Sequence, residues 1–99
     1  MLNIEKKIEG KSLVMKLVGR LDTTTAPEVE KEVKEGIEGI ENLTFDIASL
    51  EYISSAGLRV LLSAQKIMNK QGNMVVKNAS DEVKEIFEVT GFADILTLE

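Results

Sequence analysis

The stretch of sequence that decides the fold is Tyr52-Ile53-Ser54-Ser55-Ala56-Gly57-Leu58-Arg59-Val60-Leu61. Two adjacent serines stand between an apolar strand end and a run of apolar residues with helical spacing, so they lie where a helix begins. At a helix N-terminus the backbone N–H groups are unpaired and the macrodipole is positive. A phosphate on a serine there would accept hydrogen bonds from those groups and add roughly −1.5 to −2 charges at pH 7. The segment therefore suits a reversible charge switch.

Length and composition predict a single globular domain over residues 1–99. The hydrophobic fraction of 43% and the charged fraction of 29% are typical of a soluble protein. No apolar run approaches the roughly 20 residues that a membrane span needs. The first residues, Met1-Leu2-Asn3-Ile4-Glu5-Lys6-Lys7, lack the apolar core of a signal peptide. We therefore expect a cytoplasmic protein without a membrane partner.

The residue types that are missing exclude several kinds of chemistry. With no cysteine the chain cannot form disulfides or thiolates, and with no histidine it lacks the commonest metal ligand and general base. The net charge of −5 argues against nonspecific binding of nucleic acid, and 4% aromatic residues provide no stacking platform for bases. The composition predicts no metal site, no cofactor and no nucleic-acid partner.

Alternating and helical patterns predict an α/β fold with the order ββαβαβαβ. An opening hairpin is antiparallel, and the strand–helix–strand units that follow require parallel neighbours, so we expect a mixed sheet with helices packed on it. The first helix begins at a capping box, Thr25-Ala26-Pro27-Glu28, with proline in the first turn. The second helix spans Gly57 to about Lys70, and Ser80 caps the third. The predicted strands are residues 3–8, 12–18, 43–47, 74–76 and 95–98.

Two motifs in this order resemble the STAS domain, the family of sulphate-transporter domains and anti-sigma-factor antagonists. Leu17-Val18-Gly19-Arg20-Leu21-Asp22 is similar to the family's G-x-L-D after the second strand. Leu50-Glu51-Tyr52-Ile53-Ser54-Ser55-Ala56-Gly57-Leu58 is similar to its aromatic-x-D-S-[ST]-G-L loop, which starts the second helix. Either motif alone is weak, but the pair at this spacing is fairly specific.

The resemblance implies a phosphorylation-switched binding module. In bacterial antagonists of this family a kinase phosphorylates the serine two residues before the glycine, which by position is Ser55. The unmodified form binds that kinase, a GHKL-type serine kinase that is also the anti-sigma factor, and so frees the sigma factor. Phosphorylation breaks the complex, and a serine phosphatase would reset it. Loops that follow parallel strands gather at the carboxyl edge of a sheet, so we expect the serine loop and the Asp22 loop to form the partner surface together. Its residues are Asp22, Thr23, Thr24, Ser54, Ser55, Ala56, Gly57 and Arg59. For Arg59 a solvated side chain is the first interpretation and a partner contact the second.

The loop departs from the family pattern at two positions. The acidic residue before the phosphoserine is Ser54 here, and the next Ser/Thr is Ala56. Two neighbouring hydroxyls therefore compete, with Ser54 as the alternative phosphosite, although a serine at this place also acts as a helix cap. Asp22 has two readings as well, because its short side chain either closes a turn or contacts a partner.

Two other function classes stay open. An enzyme is disfavoured because the chain has no G-x-S-x-G elbow, no histidine for a triad and no P-loop. A structural or ligand-binding subunit of a transport or signalling complex is the alternative, because some STAS domains serve there. Stoichiometric phosphorylation of Ser55 by a cognate kinase separates the switch from this alternative.

Overall fold

Four strands form one mixed sheet in the computed structural model, which describes residues 2–99. The strands lie side by side in the order β1-β2-β3-β4, with β1 antiparallel to β2 and the other two pairs parallel. The elements are β1 (Leu2–Glu9), β2 (Ser12–Leu21), α1 (Ala26–Gly36), β3 (Asn42–Ile53), α2 (Ser55–Met68), β4 (Asn73–Lys77), α3 (Asp81–Thr90) and a 3₁₀ turn (Phe92–Asp94).

Alternation in the first part of the two central strands places the core on one face of the sheet. Over residues 13–17 of β2 and 43–47 of β3 every second residue is buried, whereas the residues between them, such as Lys16 and Asp46, are only half-buried. This pattern arises because successive strand side chains point to opposite faces, and only one face is covered by helices. The buried side chains from the two strands and the helices are Leu13, Met15, Leu17, Leu43, Phe45, Ile47, Val29, Val33, Leu61, Met68, Val83 and Phe87.

The two central strands run farther than their alternation predicts. β3 was expected over residues 43–47 and continues to Ile53, and β2 continues past Val18 to Leu21. Register shifts between Lys16 and Val18 and between Gly19 and Arg20 interrupt the pairing of β2 with β3. Each irregularity places one extra residue on β3, so the buried residues after Ile47 are Leu50 and Ile53 and the extension of β3 is invisible to a strict period of two. On β2 Leu21 keeps the parity of Leu17. The two extensions carry both strands directly into the predicted site loops.

The first and third helices begin where predicted, and the second begins earlier. The capping box at Thr25 is wrong, because this N-cap residue has αR backbone angles and its side chain accepts no hydrogen bond from the first turn of α1. α2 begins two residues before Gly57, at Ser55, since the preceding Ser54 caps it and accepts from Gly57 N–H at 3.4 Å. Ser80 caps α3 as predicted.

The predicted last strand, residues 95–98, is wrong as an element. Leu98 forms one isolated parallel bridge with Val76, supported by hydrogen bonds from Val76 N–H to Thr97 and from Glu99 N–H to Val76. The 3₁₀ turn Phe92–Asp94 bends the chain just before it, which leaves too few extended residues for a ladder. The predicted α/β class with a mixed sheet and packed helices is confirmed.

Gly57 lets the start of α2 press against the ends of both central strands. A Cβ atom at this position would lie 2.7 Å from Leu21 Cγ and 2.9 Å from Ile53 Cγ1. Both neighbours are buried, so neither can move away freely. At Gly36, the last residue of α1, an added Cβ would meet its nearest atom, Leu13 Cδ2, at an ordinary 3.6 Å.

We therefore expect Gly57→Ala to destabilise the protein and Gly36→Ala to leave it unchanged or stabilise it. Alanine in a helix gains up to about 1 kcal/mol over glycine, but overpacking a closed core costs about 1–3 kcal/mol. The cost of overpacking exceeds the gain in helix propensity only at Gly57. Urea unfolding of both variants measures the two effects, and equal stabilities would contradict the close packing at Gly57.

Candidate functional site

The two sequence motifs meet at the carboxyl end of the sheet. Ser54 N–H donates to Leu21 C=O at 2.9 Å, which ties the first residue of the serine loop to the last residue of β2. Ser54 C=O in turn accepts from Leu58 N–H at 2.9 Å, inside the first turn of α2. Parallel strands bring the loops at their carboxyl ends to one edge of a sheet. The serine loop, residues 54–57, and the Asp22 loop, residues 22–25, therefore form one surface.

The two serines occupy different structural positions. Ser54 is half-buried, and its hydroxyl accepts from Gly57 N–H as the N-cap of α2. Ser55 is the first helical residue and is exposed to solvent. The N–H groups of Ser55 and Ala56 have no acceptor within the helix, as in any first turn. The Ser55 hydroxyl thus lies beside unpaired donors, whereas the Ser54 hydroxyl is already part of the cap.

Asp22 closes its own loop. Its Oδ1 accepts from the Thr24 hydroxyl at 2.7 Å, from Thr24 N–H at 3.0 Å and from Thr25 N–H at 3.2 Å. The pKa of Asp22 lies below its ordinary value, mainly because the carboxylate accepts a hydrogen bond from the Thr24 hydroxyl. Partial desolvation acts in the opposite direction, and the hydrogen bonds from Thr25 N–H and Thr24 N–H lower the pKa further. The turn-closing reading of Asp22 is thereby observed, while a contact with a partner stays a prediction.

The three threonines of this loop divide between surface and interior. Thr23 and Thr24 are exposed, whereas Thr25 is 4% exposed. The Thr25 hydroxyl donates to Arg20 C=O and accepts from Asp22 N–H, both at 2.8 Å. Since a buried hydroxyl is stable only when it is hydrogen-bonded, this pair of bonds explains why a threonine fits here. Sequence reasoning placed Thr25 as a helix cap and missed this role.

A cleft of about 300 Å³ separates the first turns of α1 and α2. Its lining includes Ala56 and Val60 from α2, Pro27 from α1 and Thr23 from the Asp22 loop, with Arg59 among the charged residues at its border. The predicted partner residues Thr23, Ala56 and Arg59 are thus brought together on one concave surface. Gly57 is buried under the same turn and supports the surface from below.

An arginine stacked on a tyrosine extends the site beyond the predicted residues. The guanidinium carbon of Arg20 lies 4.6 Å from the centre of the Tyr52 ring, and Arg20 Nε lies 4.0 Å from Asp22 Oδ2. Arg20 and Tyr52 are partners in the β2–β3 register. Both side chains are exposed and belong to the two motifs themselves, so the motif positions were the signal that could have identified them. Cation–π contacts of this kind contribute about 0.5–1 kcal/mol at exposed sites.

Within residues 2–99, no group of three or more carboxylates could hold a metal ion. Over the same described range, no helix is long and apolar enough to cross a membrane.

We expect the Asp22 carboxylate to stabilise the protein in a pH-dependent manner. A carboxylate whose pKa is lower in the folded than in the unfolded protein stabilises the fold above its unfolded pKa of about 3.9. That contribution is lost as the pH falls through the folded pKa. Asp22→Asn keeps an oxygen acceptor but loses the charge. The wild type should therefore melt at a higher temperature than Asp22→Asn at pH 7, and the difference should shrink below about pH 4.

Thermal melts of both proteins between pH 2.5 and pH 7 measure this difference. Glu35→Gln, on the exposed surface of α1, controls for the loss of a negative charge. A difference between wild type and Asp22→Asn that stays constant over the whole range would contradict the charged hydrogen bonds of Asp22.

Comparison with known proteins places the chain in a family. The model of the STAS domain matches residues 3–99. The chain is 34% identical over 89 residues to the anti-sigma-B factor antagonist of Listeria monocytogenes, an alignment that covers 84% of this chain and 75% of that protein.

Solved structures show the same fold. An anti-sigma factor antagonist from Mycobacterium paratuberculosis superposes with a TM-score of 0.90 at 19% identity, over 99% of this chain and 85% of that one. The Bacillus cell fate determinant SpoIIAA in its phosphorylated form has a TM-score of 0.66 at 15% identity, over 100% of this chain and 91% of that one. The family model and the Listeria relative together establish that this chain belongs to the STAS domain family.

Proposed function

We propose that the chain is an anti-sigma-factor antagonist that binds its anti-sigma factor while Ser55 is unmodified and releases it when Ser55 is phosphorylated. The observation that carries this proposal is the exposed Ser55 hydroxyl on the surface shared by the serine loop and the Asp22 loop. The name of the Listeria relative supports the antagonist role. SpoIIAA, which has the same fold, has been solved in a phosphorylated form, and this supports the switch.

The choice of Ser55 over Ser54 follows from the hydrogen bonds that each hydroxyl already makes. Phosphorylation of Ser54 would modify the hydroxyl that accepts from Gly57 N–H and place a dianion at a half-buried position. Replacing an N-cap serine by alanine costs about 1 kcal/mol, and desolvating a charge adds a further cost. Ser55 can accept a phosphate without losing any bond that holds the fold. A kinase active site also reaches an exposed hydroxyl more readily than a capping one.

The position of Ser55 explains how a phosphate can control binding without unfolding the protein. At a helix N-terminus a negative charge is stabilising by about 0.3–1 kcal/mol. At an interface the same dianion must be desolvated or meets like charge, which costs several kcal/mol. α2 carries no acidic residue in its first turn, unlike α1 and α3, so no carboxylate of its own first turn opposes the phosphate there.

The partner in this proposal is an anti-sigma factor that is also a GHKL-type serine kinase, and a serine phosphatase resets the switch. The net charge of −5 favours a partner with a basic contact patch, which would mainly raise the association rate. In this proposal the protein acts in the cytoplasm as a binding module and catalyses no reaction itself.

Capture of partners from a lysate of the native organism tests the class of function. Immobilised wild-type protein should retain an ATP-dependent serine kinase, identified by mass spectrometry, and Ser55→Asp should retain much less of it. Glu35→Ala should retain it as wild type does. Retention of a membrane transporter or a lipid-handling complex by wild type and Ser55→Asp alike would instead favour a structural or ligand-binding subunit.

The kinase obtained in this way should phosphorylate Ser55 and not Ser54. Tandem mass spectrometry after incubation with ATP locates the phosphate. Ser54→Ala should still be modified, because it keeps the exposed hydroxyl, whereas Ser55→Ala should not. Phosphate found only on Ser54, from a kinase shown to be active on another substrate, would overturn the assignment.

Phosphorylation should change affinity far more than stability. We expect the phosphorylated protein to melt within about 5 °C of the unmodified protein, while binding of the kinase weakens at least tenfold, or about 1.4 kcal/mol. Calorimetric titration and thermal melts give the two numbers. Asp22→Ala should weaken binding per folded molecule, unlike Glu35→Ala. Loss of the folded state on phosphorylation would contradict this mechanism.

A further inference from the structure

The arginines of this chain are concentrated at the proposed switch. Of twelve basic residues only Arg20 and Arg59 are arginines, and both lie at the carboxyl end of the sheet, one in the β2 motif and one in α2. Arginine binds phosphate and carboxylate through two parallel hydrogen bonds, which lysine cannot do. Arg20 is engaged with Tyr52, whereas no carboxylate in residues 2–99 lies within 4.0 Å of the Arg59 guanidinium.

Arg59 and Ser55 have the spacing of an ion pair along a helix. They are four residues apart on α2, both are exposed, and residues at this spacing are neighbours on a helix surface. Helical side chains point back toward the N-terminus, so a side chain at position 59 can reach the turn that contains Ser55. An acidic group four residues before a basic one is the favoured order. Glu30 and Lys34 on α1 form such a pair, at 3.0 Å.

Another partner for Arg59 would have to come from across the cleft. Glu30 lines the same cleft, but its carboxylate is already paired with Lys34. Arg59 therefore remains a cation near the positive end of the α2 dipole, a place where a cation is unfavourable on its own. A phosphate dianion on Ser55 would make a cation at Arg59 favourable.

We infer that Arg59 binds the phosphate on Ser55 within the same helix. This inference rests on the proposed phosphorylation of Ser55 and adds how the modified state is held. The guanidinium fixes the phosphate over the first turn of α2, and it is thereby withdrawn from the cleft surface that a partner would contact. Phosphorylation of Ser55 would thus change the surface in two ways. It would add negative charge, and it would pair the positive charge of Arg59.

Phosphorus NMR of protein carrying phosphoserine at position 55 tests the pairing without any partner. Phosphoserine can be introduced at this codon by genetic code expansion, so no kinase is needed. A neighbouring cation favours the dianion, and removal of Arg59 should therefore raise the second pKa of the phosphate, which is ordinarily about 6. We expect a two- to fivefold decrease in its acid dissociation constant in Arg59→Ala and in Arg59→Gln, from the strength of exposed ion pairs.

The control removes a positive charge from the same helix but beyond contact range. Lys66 is exposed and lies 11 residues after Ser55, or about 16 Å along the axis. Lys66→Ala should leave the phosphate titration unchanged, and Arg59→Lys should retain part of the effect. If Arg59→Ala and Arg59→Gln titrate as Lys66→Ala does, the inference is wrong.

The same samples separate failure of the inference from failure of the proposed function. Titration of each phosphorylated protein with the captured kinase reports on the switch. Unchanged phosphate titration together with weakened binding would overturn only the role of Arg59. A phosphorylated protein that binds the kinase as tightly as the unmodified one would overturn the proposed switch, whatever Arg59 does.

Discussion

The hydrogen bond from Ser54 N–H to Leu21 C=O is the contact on which the arrangement of the site depends. It fixes the start of α2 to the end of β2, and Gly57 lets the two approach closely by leaving no side chain between Leu21 and Ile53. The contact extends the parallel pairing of β2 with β3, whose last partners are Leu21 and Ile53, into the serine loop. The serine loop and the Asp22 loop therefore form one edge, so a group added to either loop changes a surface to which both contribute.

The site uses polar side chains in two distinct ways. Ser54 caps α2, and Asp22 holds the turn before α1 through the N–H groups of Thr24 and Thr25. Ser55, Thr23 and Arg59 are exposed, and the hydrogen bonds that close the two loops do not involve their side chains. The two serines at this helix start therefore differ in what they do for the fold. The Ser54 hydroxyl caps the helix, and the neighbouring Ser55 is exposed to solvent.

The sequence predicted the helices and the central strands because burial imposes a clear period on them. Leu13, Met15 and Leu17 alternate on β2, and Val29 and Val33 repeat on α1, so elements of these types were expected where they occur. The prediction failed where tertiary contacts override local pattern. Irregular pairing hides the end of β3, and the hydroxyl of Thr25 bonds to Arg20 C=O and not to its own helix. The last strand was overestimated because a 3₁₀ turn shortens it.

The residues of the candidate site were named from the sequence, but their geometry was not. The motifs located Ser55 and Asp22, since both follow strands, but the stack of Arg20 on Tyr52 depends on a register that no local pattern reveals. The same is true of the cleft beside Arg59, which requires α1 and α2 to lie next to each other. Contacts between residues far apart in the chain depend on the order of the strands in the sheet, and no single segment of the sequence specifies that order.

The central claim is that the edge formed by the serine and Asp22 loops is the surface a partner binds. Backbone amide NMR of labelled protein, titrated with the kinase captured from the native organism, tests it most directly. We predict that shift changes concentrate on residues 22–25 and 54–60 and that protein phosphorylated on Ser55 shows no such changes at the same concentrations. Shift changes centred on α3 or on the uncovered face of the sheet, and equal for both forms, would contradict the account.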